Sequence, residues 1–86
     1  MPSYLVEQPD KRFFLHEGGE LASLEDLFTE LQSMKPHVFQ HHVNADKNDF
    51  AVWVRDVMQD RFLAKNMVFA KTKDDLMKLL FIQLFR

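Results

Sequence analysis

The feature that most constrains the fold is the apolar C-terminal segment of the sequence. Between Leu76 and Arg86, eight of the eleven residues are large and apolar, and their spacing leaves almost no polar side on a helix. A helix at a protein surface normally carries an apolar stripe on one side only. A helix over roughly Lys73 to Phe85 therefore has to be surrounded, either by the rest of this chain or by a partner.

The chain has little material with which to surround such a helix. Its 86 residues are 47% hydrophobic and 28% charged, a composition typical of a globular domain rather than a disordered segment. A domain of this size buries only about 60–65% of the surface that its unfolded chain exposes. Because no repeat, low-complexity tract or linker divides the sequence, it predicts a single domain over residues 1–86.

Composition also excludes several classes of function. Cysteine is absent, which excludes disulfides, thiolate nucleophiles and cysteine-based zinc sites and favours a cytoplasmic location. A net charge of −2 argues against general binding to nucleic acid phosphates, so the lysines near the C-terminus are interpreted as solvated surface residues: Lys65, Lys71, Lys73 and Lys78. The N-terminus lacks a signal-peptide pattern and the apolar run LMKLLFIQLF is too short to cross a bilayer, so no membrane segment is expected.

The N-terminal part of the sequence predicts a β-hairpin or short meander over about residues 4–22. Pro9 sets the backbone angle of a first turn, and Gly18 with Gly19 permits a tight second turn at positive φ. Two or three short strands are not stable alone, so they must pack on other elements. The strand-like runs are Tyr4–Glu7, Arg12–His16 and Glu20–Ala22.

Sequence patterns typical of helices occupy the rest of the chain, about residues 23–86. Apolar residues recur at helical spacing over Leu24–Met34 and again over Phe50–Met58, and Pro36 suits the first turn of a short helix PHVFQHH. The predicted fold is therefore α+β, with the N-terminal hairpin or meander packed on a bundle of four to five short helices. Candidate helix caps are Ser23 with Asp26, Asp46, Asn48, Asp60, and Thr72 with Asp75.

The polar stretch HHVNADKNDFAVW, from His41 to Trp53, is the main candidate for a reactive site. On a helix His37 and His41 would share one side, as metal-chelating imidazoles do, and Asp46 or Asp49 could supply a carboxylate ligand. His42 with Asp49, or His41 with Asp46, could form an oriented imidazole–carboxylate pair. No third histidine lies at ligand spacing, and no glycine-rich phosphate loop or free nucleophile accompanies the pair. We expect no metal, no cofactor and no catalytic residue. The alternative hypothesis is a minimal metal-binding or histidine-assisted enzyme that uses the cluster at residues 37–49.

A structural interpretation explains the same stretch better. Asparagine and aspartate side chains bind free backbone N–H groups at helix starts and in tight loops. Trp53 falls on the apolar stripe as a core anchor whose indole N–H needs a partner, for which His42 and Asn44 are the candidates. We call the group the polar knot, and interpret it as architecture that could also serve as a binding site: His42, Asn44, Asn48, Asp49 and Trp53.

Two stretches, HHVNADKNDFAVWVRDV and FFLHEGGELASLEDLFTEL, resemble a group of small prokaryotic domains of unknown function. The shared pattern is a strand, a glycine turn, sL-x-x-L on a helix, H-V-N, N-D-F-A-x-W, and then a hydrophobic helix pair with a Leu-Ala step. The resemblance implies no activity. It includes His42 but not His37, which weakens the metal hypothesis. The matching positions are Gly19, Leu24, Leu27, His42, Val43, Asn44, Asn48, Asp49, Phe50, Ala51, Trp53, Leu63 and Ala64.

The apolar C-terminal helix is the main candidate for a functional surface. Either the hairpin and the first helix cover both of its sides, or one side remains available to a partner, because extended apolar patches usually mark interaction sites. Attachment to a membrane surface is a third alternative, which the lack of a polar side rich in lysine and arginine disfavours. We favour the second alternative. The sequence predicts a small non-catalytic module that forms a homodimer or binds a protein partner, with an interaction face formed by Met77, Phe81, Leu84 and Phe85.

Overall fold

Five α-helices follow a short antiparallel hairpin in the computed structural model, which describes residues 4–85. This architecture confirms the predicted α+β class. A 3-10 turn precedes the hairpin at Pro9–Lys11, and a π-helical turn at Val54–Met58 continues the third helix. The elements are β1 (Phe13–Phe14), β2 (Glu20–Leu21), α1 (Leu24–Ser33), α2 (Pro36–His42), α3 (Asp49–Trp53), α4 (Arg61–Phe69) and α5 (Lys73–Phe85).

The hairpin reverses at the predicted glycine pair. Phe13 pairs with Leu21 across the two strands. Gly18 and Gly19 both have a φ of +108°, a region that side-chain-bearing residues rarely adopt. A Cβ atom on Gly19 would also lie 3.2 Å from Cδ1 of Leu15. The turn therefore requires glycine for its backbone angles and, at Gly19, for space.

The segment before the hairpin differs from the prediction. Residues 4–7 were expected to pair as a strand with residues 12–16, but Leu5 forms an isolated bridge with Ser23, and the Val6 N–H donates to the Ala22 carbonyl at 2.6 Å. The 3-10 turn that starts at Pro9 redirects the chain, and proline has no N–H to offer a strand partner. The segment consequently lies along the chain that leads into α1.

Helix α1 begins with the predicted cap. The Ser23 Oγ accepts a hydrogen bond from the Asp26 N–H at 3.0 Å, and the Asp26 carboxylate accepts one from the Ala22 N–H at 2.9 Å. One side of the helix is completely buried through Leu24, Leu27 and Leu31. These local bonds position α1 so that its apolar side faces the core.

The middle of the chain contains a feature that helical spacing did not predict. The apolar stripe from Phe50 to Met58 was interpreted as one regular helix, but its second half is the π-helical turn at 54–58. That turn ends at Gln59, whose φ of 60° is left-handed. Asp60 then caps α4 by accepting a hydrogen bond from the Leu63 N–H at 2.9 Å.

Helix α5 packs most extensively on α1. The Thr72 hydroxyl accepts a hydrogen bond from the Asp75 N–H at 3.1 Å, as predicted for its cap, and Leu76 and Leu80 are completely buried. Lys73 on α5 donates to the Met34 carbonyl at the end of α1. None of the helices within residues 4–85 is both long and apolar enough to cross a membrane.

Candidate functional site

His42 lies at the centre of the polar knot. Its side chain is 6% exposed, and its ring packs edge-on against Phe13 with 4.9 Å between ring centroids. Its Nε2 accepts a hydrogen bond from the His16 backbone N–H at 3.0 Å, and its Nδ1 lies 3.0 Å from the Asp49 carboxylate. Because a backbone N–H can only donate, the geometry fits a neutral ring whose proton is on Nδ1 and is shared with Asp49.

Asp49 is held in its ionised form by its neighbours. Burial raises the pKa of this carboxyl, but the hydrogen bonds from His42 and Lys47 lower it more, and the net pKa is below the ordinary value. The Lys47 Nζ lies 3.0 Å from the same carboxylate oxygen that contacts His42. The ionised carboxylate therefore orients the His42 ring.

The pair has the geometry of an acid–base dyad but no free proton acceptor. In a dyad, the imidazole nitrogen opposite the carboxylate must be able to take a proton from a substrate. In His42 that nitrogen is already bonded to the His16 N–H, and the ring is buried. The arrangement favours the structural interpretation of the knot over histidine-assisted catalysis.

The two asparagines of the knot act at different places. The Asn48 Oδ1 caps α3 by accepting a hydrogen bond from the Ala51 N–H at 3.0 Å, and its amide donates to the Met67 carbonyl on α4. Asn44 is exposed; its amide donates to the Gln40 carbonyl of α2, and its Oδ1 accepts from the Asp46 N–H. Asn48 thus joins two helices, whereas Asn44 closes the loop after α2.

Trp53 is 6% exposed, but its polar partner differs from the predicted ones. The indole Nε1–H donates to the Lys11 carbonyl at 2.9 Å, not to His42 or Asn44. Both nitrogens of His42 are engaged elsewhere, and the ring of Phe13 contacts both His42 and Trp53. Trp53 therefore ties the 3-10 turn before the hairpin to α3.

The fold brings the chain's other three histidines to the same surface. His16 follows β1 and stacks on His41 with 4.0 Å between ring centroids and 8° between ring planes. The Glu17 carboxylate contacts the His37 ring at 2.6 Å. The sequence did not indicate Glu17, and His16 could join the cluster only through the fold, because both lie twenty or more residues from their partners on α2 and no local pattern marks them.

The two histidines of the alternative metal hypothesis are not arranged as metal ligands. His37 contacts Glu17, while the His41 ring stacks on His16 and lies edge-on to His42. Within residues 4–85, no group of three or more histidine, aspartate or glutamate side chains is placed to hold a metal ion.

Stacking should be visible in the titration of His41. Desolvation comes first among the causes that lower its pKa below the ordinary 6.5, followed by the electrostatic effects of His16, His42 and Lys47, whereas Asp49 acts in the opposite direction. The folded protein therefore binds fewer protons at His41 than the unfolded chain, and this contribution to stability is lost as pH falls from 6.5 through the folded-state pKa. We expect the NMR titration midpoint of His41 to lie below 6.5, and to move upward in His16→Ala. A midpoint that does not change in the variant would contradict this account.

Helix α5 presents an aromatic surface next to α1. The ring of Phe28 lies 6.2 Å from that of Phe81 and 5.7 Å from that of Phe85, and the latter two rings are 5.0 Å apart. We call these three residues the aromatic face. Phe81 is 55% exposed and Phe85 is 60% exposed, and Ile82 beside them is 54% exposed.

The structure thus separates the four residues of the predicted interaction face into a half-buried pair and an exposed pair. Met77 and Leu84 are half-buried against the core, while Phe81 and Phe85 project outward. The sequence did not indicate Phe28, because its position on the stripe of α1 predicted a core residue.

Comparison with known proteins gave no relative. No family model, no curated protein and no solved structure matches the chain. The resemblance to small prokaryotic domains stays a prediction, and only the surfaces of the molecule bear on its function.

Proposed function

We propose that the protein is a non-catalytic interaction module that forms a homodimer through the aromatic face. The observation that carries the proposal is the exposure of Phe81 and Phe85, both more than half accessible although they lie on the helix that completes the core. Exposed aromatic clusters are typical of protein interfaces, whose buried centres are rich in such side chains.

A second copy of the chain is the partner that best fits this surface. The sequence carries no charged residue between Lys78 and Arg86, so this end of α5 offers no charge that would select a partner of opposite sign. A two-fold axis beside α5 would place each aromatic face against its equivalent, and self-complementary contacts of this kind are the commonest in oligomers. Offset and edge-on ring contacts, already present among the three rings, can continue across such an axis.

The expected affinity is modest. Complete burial of a large apolar side chain contributes about 1.5–3 kcal/mol, so covering the exposed half of Phe81, Ile82 and Phe85 in both copies contributes roughly 5–10 kcal/mol. Association itself costs about 4–15 kcal/mol in lost freedom of motion. These ranges overlap, which predicts a dimer whose population depends on concentration.

The proposal includes a cytoplasmic location and no metal, cofactor, nucleic acid or membrane partner. It is supported by the absence of cysteine and by the net charge of −2. The engagement of both His42 nitrogens supports the non-catalytic part of the proposal.

Sedimentation of the double variant Phe81→Lys/Phe85→Lys tests the dimer. The wild-type protein should shift from monomer to dimer as its concentration rises through the micromolar range, and the variant should remain a monomer because four like charges would meet across the axis. Both positions are exposed, so the variant should keep the wild-type circular dichroism spectrum.

A matched control changes two other exposed phenylalanines. Phe62→Lys/Phe69→Lys alters residues that are 69% and 73% exposed on α4, and neither ring contacts the aromatic face in the described part of the chain. This control should dimerise like the wild type. A wild-type protein that stays monomeric at high micromolar concentration would contradict the proposal, as would equal loss of dimer in both double variants.

A further inference from the structure

A second surface lies between helices α3 and α4 and the loop that follows α2. It is a groove of about 320 Å³ whose apolar floor includes Ala51 and Val52 from α3 and Ala64 and Val68 from α4. Val52 is 44% exposed and Val68 is 43% exposed, so the floor is open to solvent. The small alanine side chains leave the space that makes this surface concave.

The groove concentrates positive charge in a chain that is negative as a whole. Among residues 4–85, five of the chain's eleven lysine and arginine residues line it, and the only acidic residue that does so is Asp46. The formal net charge of the protein is nevertheless −2. The groove therefore has a local electrostatic character that the total charge conceals. The cations are Lys47, Arg55, Arg61, Lys65 and Lys71.

Three of these cations have no acidic partner within residues 4–85. Lys47 pairs with Asp49 and Arg55 pairs with Asp56, whereas Arg61, Lys65 and Lys71 form no ion pair there. Arg61 and Lys65 are four residues apart on α4, and like charges at this spacing repel each other. An acidic ligand that bound both would remove that repulsion.

We propose that this groove binds an acidic peptide segment of a partner protein, with carboxylates at Arg61 and Lys65 and apolar side chains on Val52 and Val68. Charge complementarity indicates that the partner is negatively charged at this surface. The apolar floor indicates that the partner is a peptide, because a free phosphate would leave that floor uncovered. No aromatic side chain from the described part of the chain lines the groove, so nucleic acid bases would have no stacking surface there. The inference is independent of the aromatic face, which is formed by α1 and α5.

NMR titration with a designed probe tests the groove. The probe is a synthetic helical peptide of glutamate, leucine and alanine in which glutamates flank an apolar stripe, and the comparison peptide has glutamine in place of glutamate. The glutamate peptide should shift the amide signals of Ala51, Val52, Ala64 and Val68, with weaker binding at high salt. The glutamine peptide should bind much more weakly.

Charge reversal on α4 supplies the matched variants. Arg61→Glu/Lys65→Glu should bind the glutamate peptide roughly tenfold more weakly or worse, because two attractive contacts become repulsive. Lys78→Glu, a charge reversal at another exposed position, on α5, should bind as the wild type does. If the double variant fails to fold, Lys65→Gln keeps the helix and should still weaken binding.

Several results would overturn the proposal. They are the absence of amide shifts with the glutamate peptide, equal binding of the glutamine peptide, and equal weakening by Lys78→Glu. Tighter binding of single-stranded oligothymidylate at the same amides would assign the groove to nucleic acid instead. Sedimentation of the groove variants should match that of the wild type, which keeps this test separate from the test of the dimer.

Discussion

Replacement of Trp53 by alanine is expected to lower the free energy of unfolding by about 3–5 kcal/mol, the usual cost of truncating a large buried aromatic side chain. Trp53 is 6% exposed and packs edge-on against Phe13, with 5.6 Å between ring centroids. The substitution also leaves the Lys11 carbonyl without its indole donor. Since small domains are stable by only about 5–10 kcal/mol, much of the Trp53→Ala population should be unfolded in mild denaturant. Urea denaturation followed by circular dichroism measures the loss.

Trp53→Phe separates packing from hydrogen bonding. Phenylalanine keeps most of the buried ring but cannot donate to Lys11, so its cost should be smaller, about 1–3 kcal/mol. The wild-type indole should fluoresce as a buried group. An emission maximum typical of full exposure to water, or an unchanged unfolding midpoint in Trp53→Ala, would contradict the role of Trp53 in the core.

The second large effect is expected at His42. His42→Ala removes a buried ring and leaves the His16 N–H and the Asp49 carboxylate without their shared partner, which should cost about 2–4 kcal/mol. His37→Ala is the matched control, because His37 lies on the same helix but is exposed and pairs with the exposed Glu17. That control should change stability by less than about 1 kcal/mol. Equal effects of the two variants would contradict the central position of His42.

The loss of stability at acidic pH gives a second measure of the contact between His42 and Asp49. Asp49 has a lowered pKa in the folded state, so its contribution is fully present above the unfolded-state pKa and is lost as pH falls through the lower folded-state value. In His42→Ala one of the bonds that lower this pKa is missing. The loss of stability on acidification should therefore be smaller in the variant than in the wild type.

The parts of the fold that depend on neighbouring residues could be predicted from the sequence. Ser23, Asn48, Asp60 and Thr72 all cap helices by accepting hydrogen bonds from N–H groups three residues later, which sequence spacing alone can indicate. The glycine turn has the same local origin. The π-helical turn at Val54–Met58 could not be predicted, because its apolar spacing also fits a regular helix.

In the candidate site, too, contacts between residues close in the sequence could be predicted and contacts between distant residues could not. His42 and Asp49 are seven residues apart and form one of the two imidazole–carboxylate pairs that the sequence indicates, whereas His16 reaches His42 only after β1 has folded against the helices. The Trp53 partner, Lys11, lies 42 residues away in a turn that no pattern marked. On α5, helical spacing showed apolar residues on every side, but only the position of α1 determines which of them become buried.

The packing of α1 against α5 also determines how the chain must fold. Helix α1 has ten residues, too few to be stable in water alone, and its buried leucines meet α5 only after about forty further residues. Closing a loop of that length costs about 3 kcal/mol in chain entropy before any contact forms. A growing or partly folded chain therefore exposes the apolar side of α1 until α5 arrives. The rate of folding should consequently follow this one late closure, and substitutions at Leu76 or Leu80 should slow it more than changes within the hairpin.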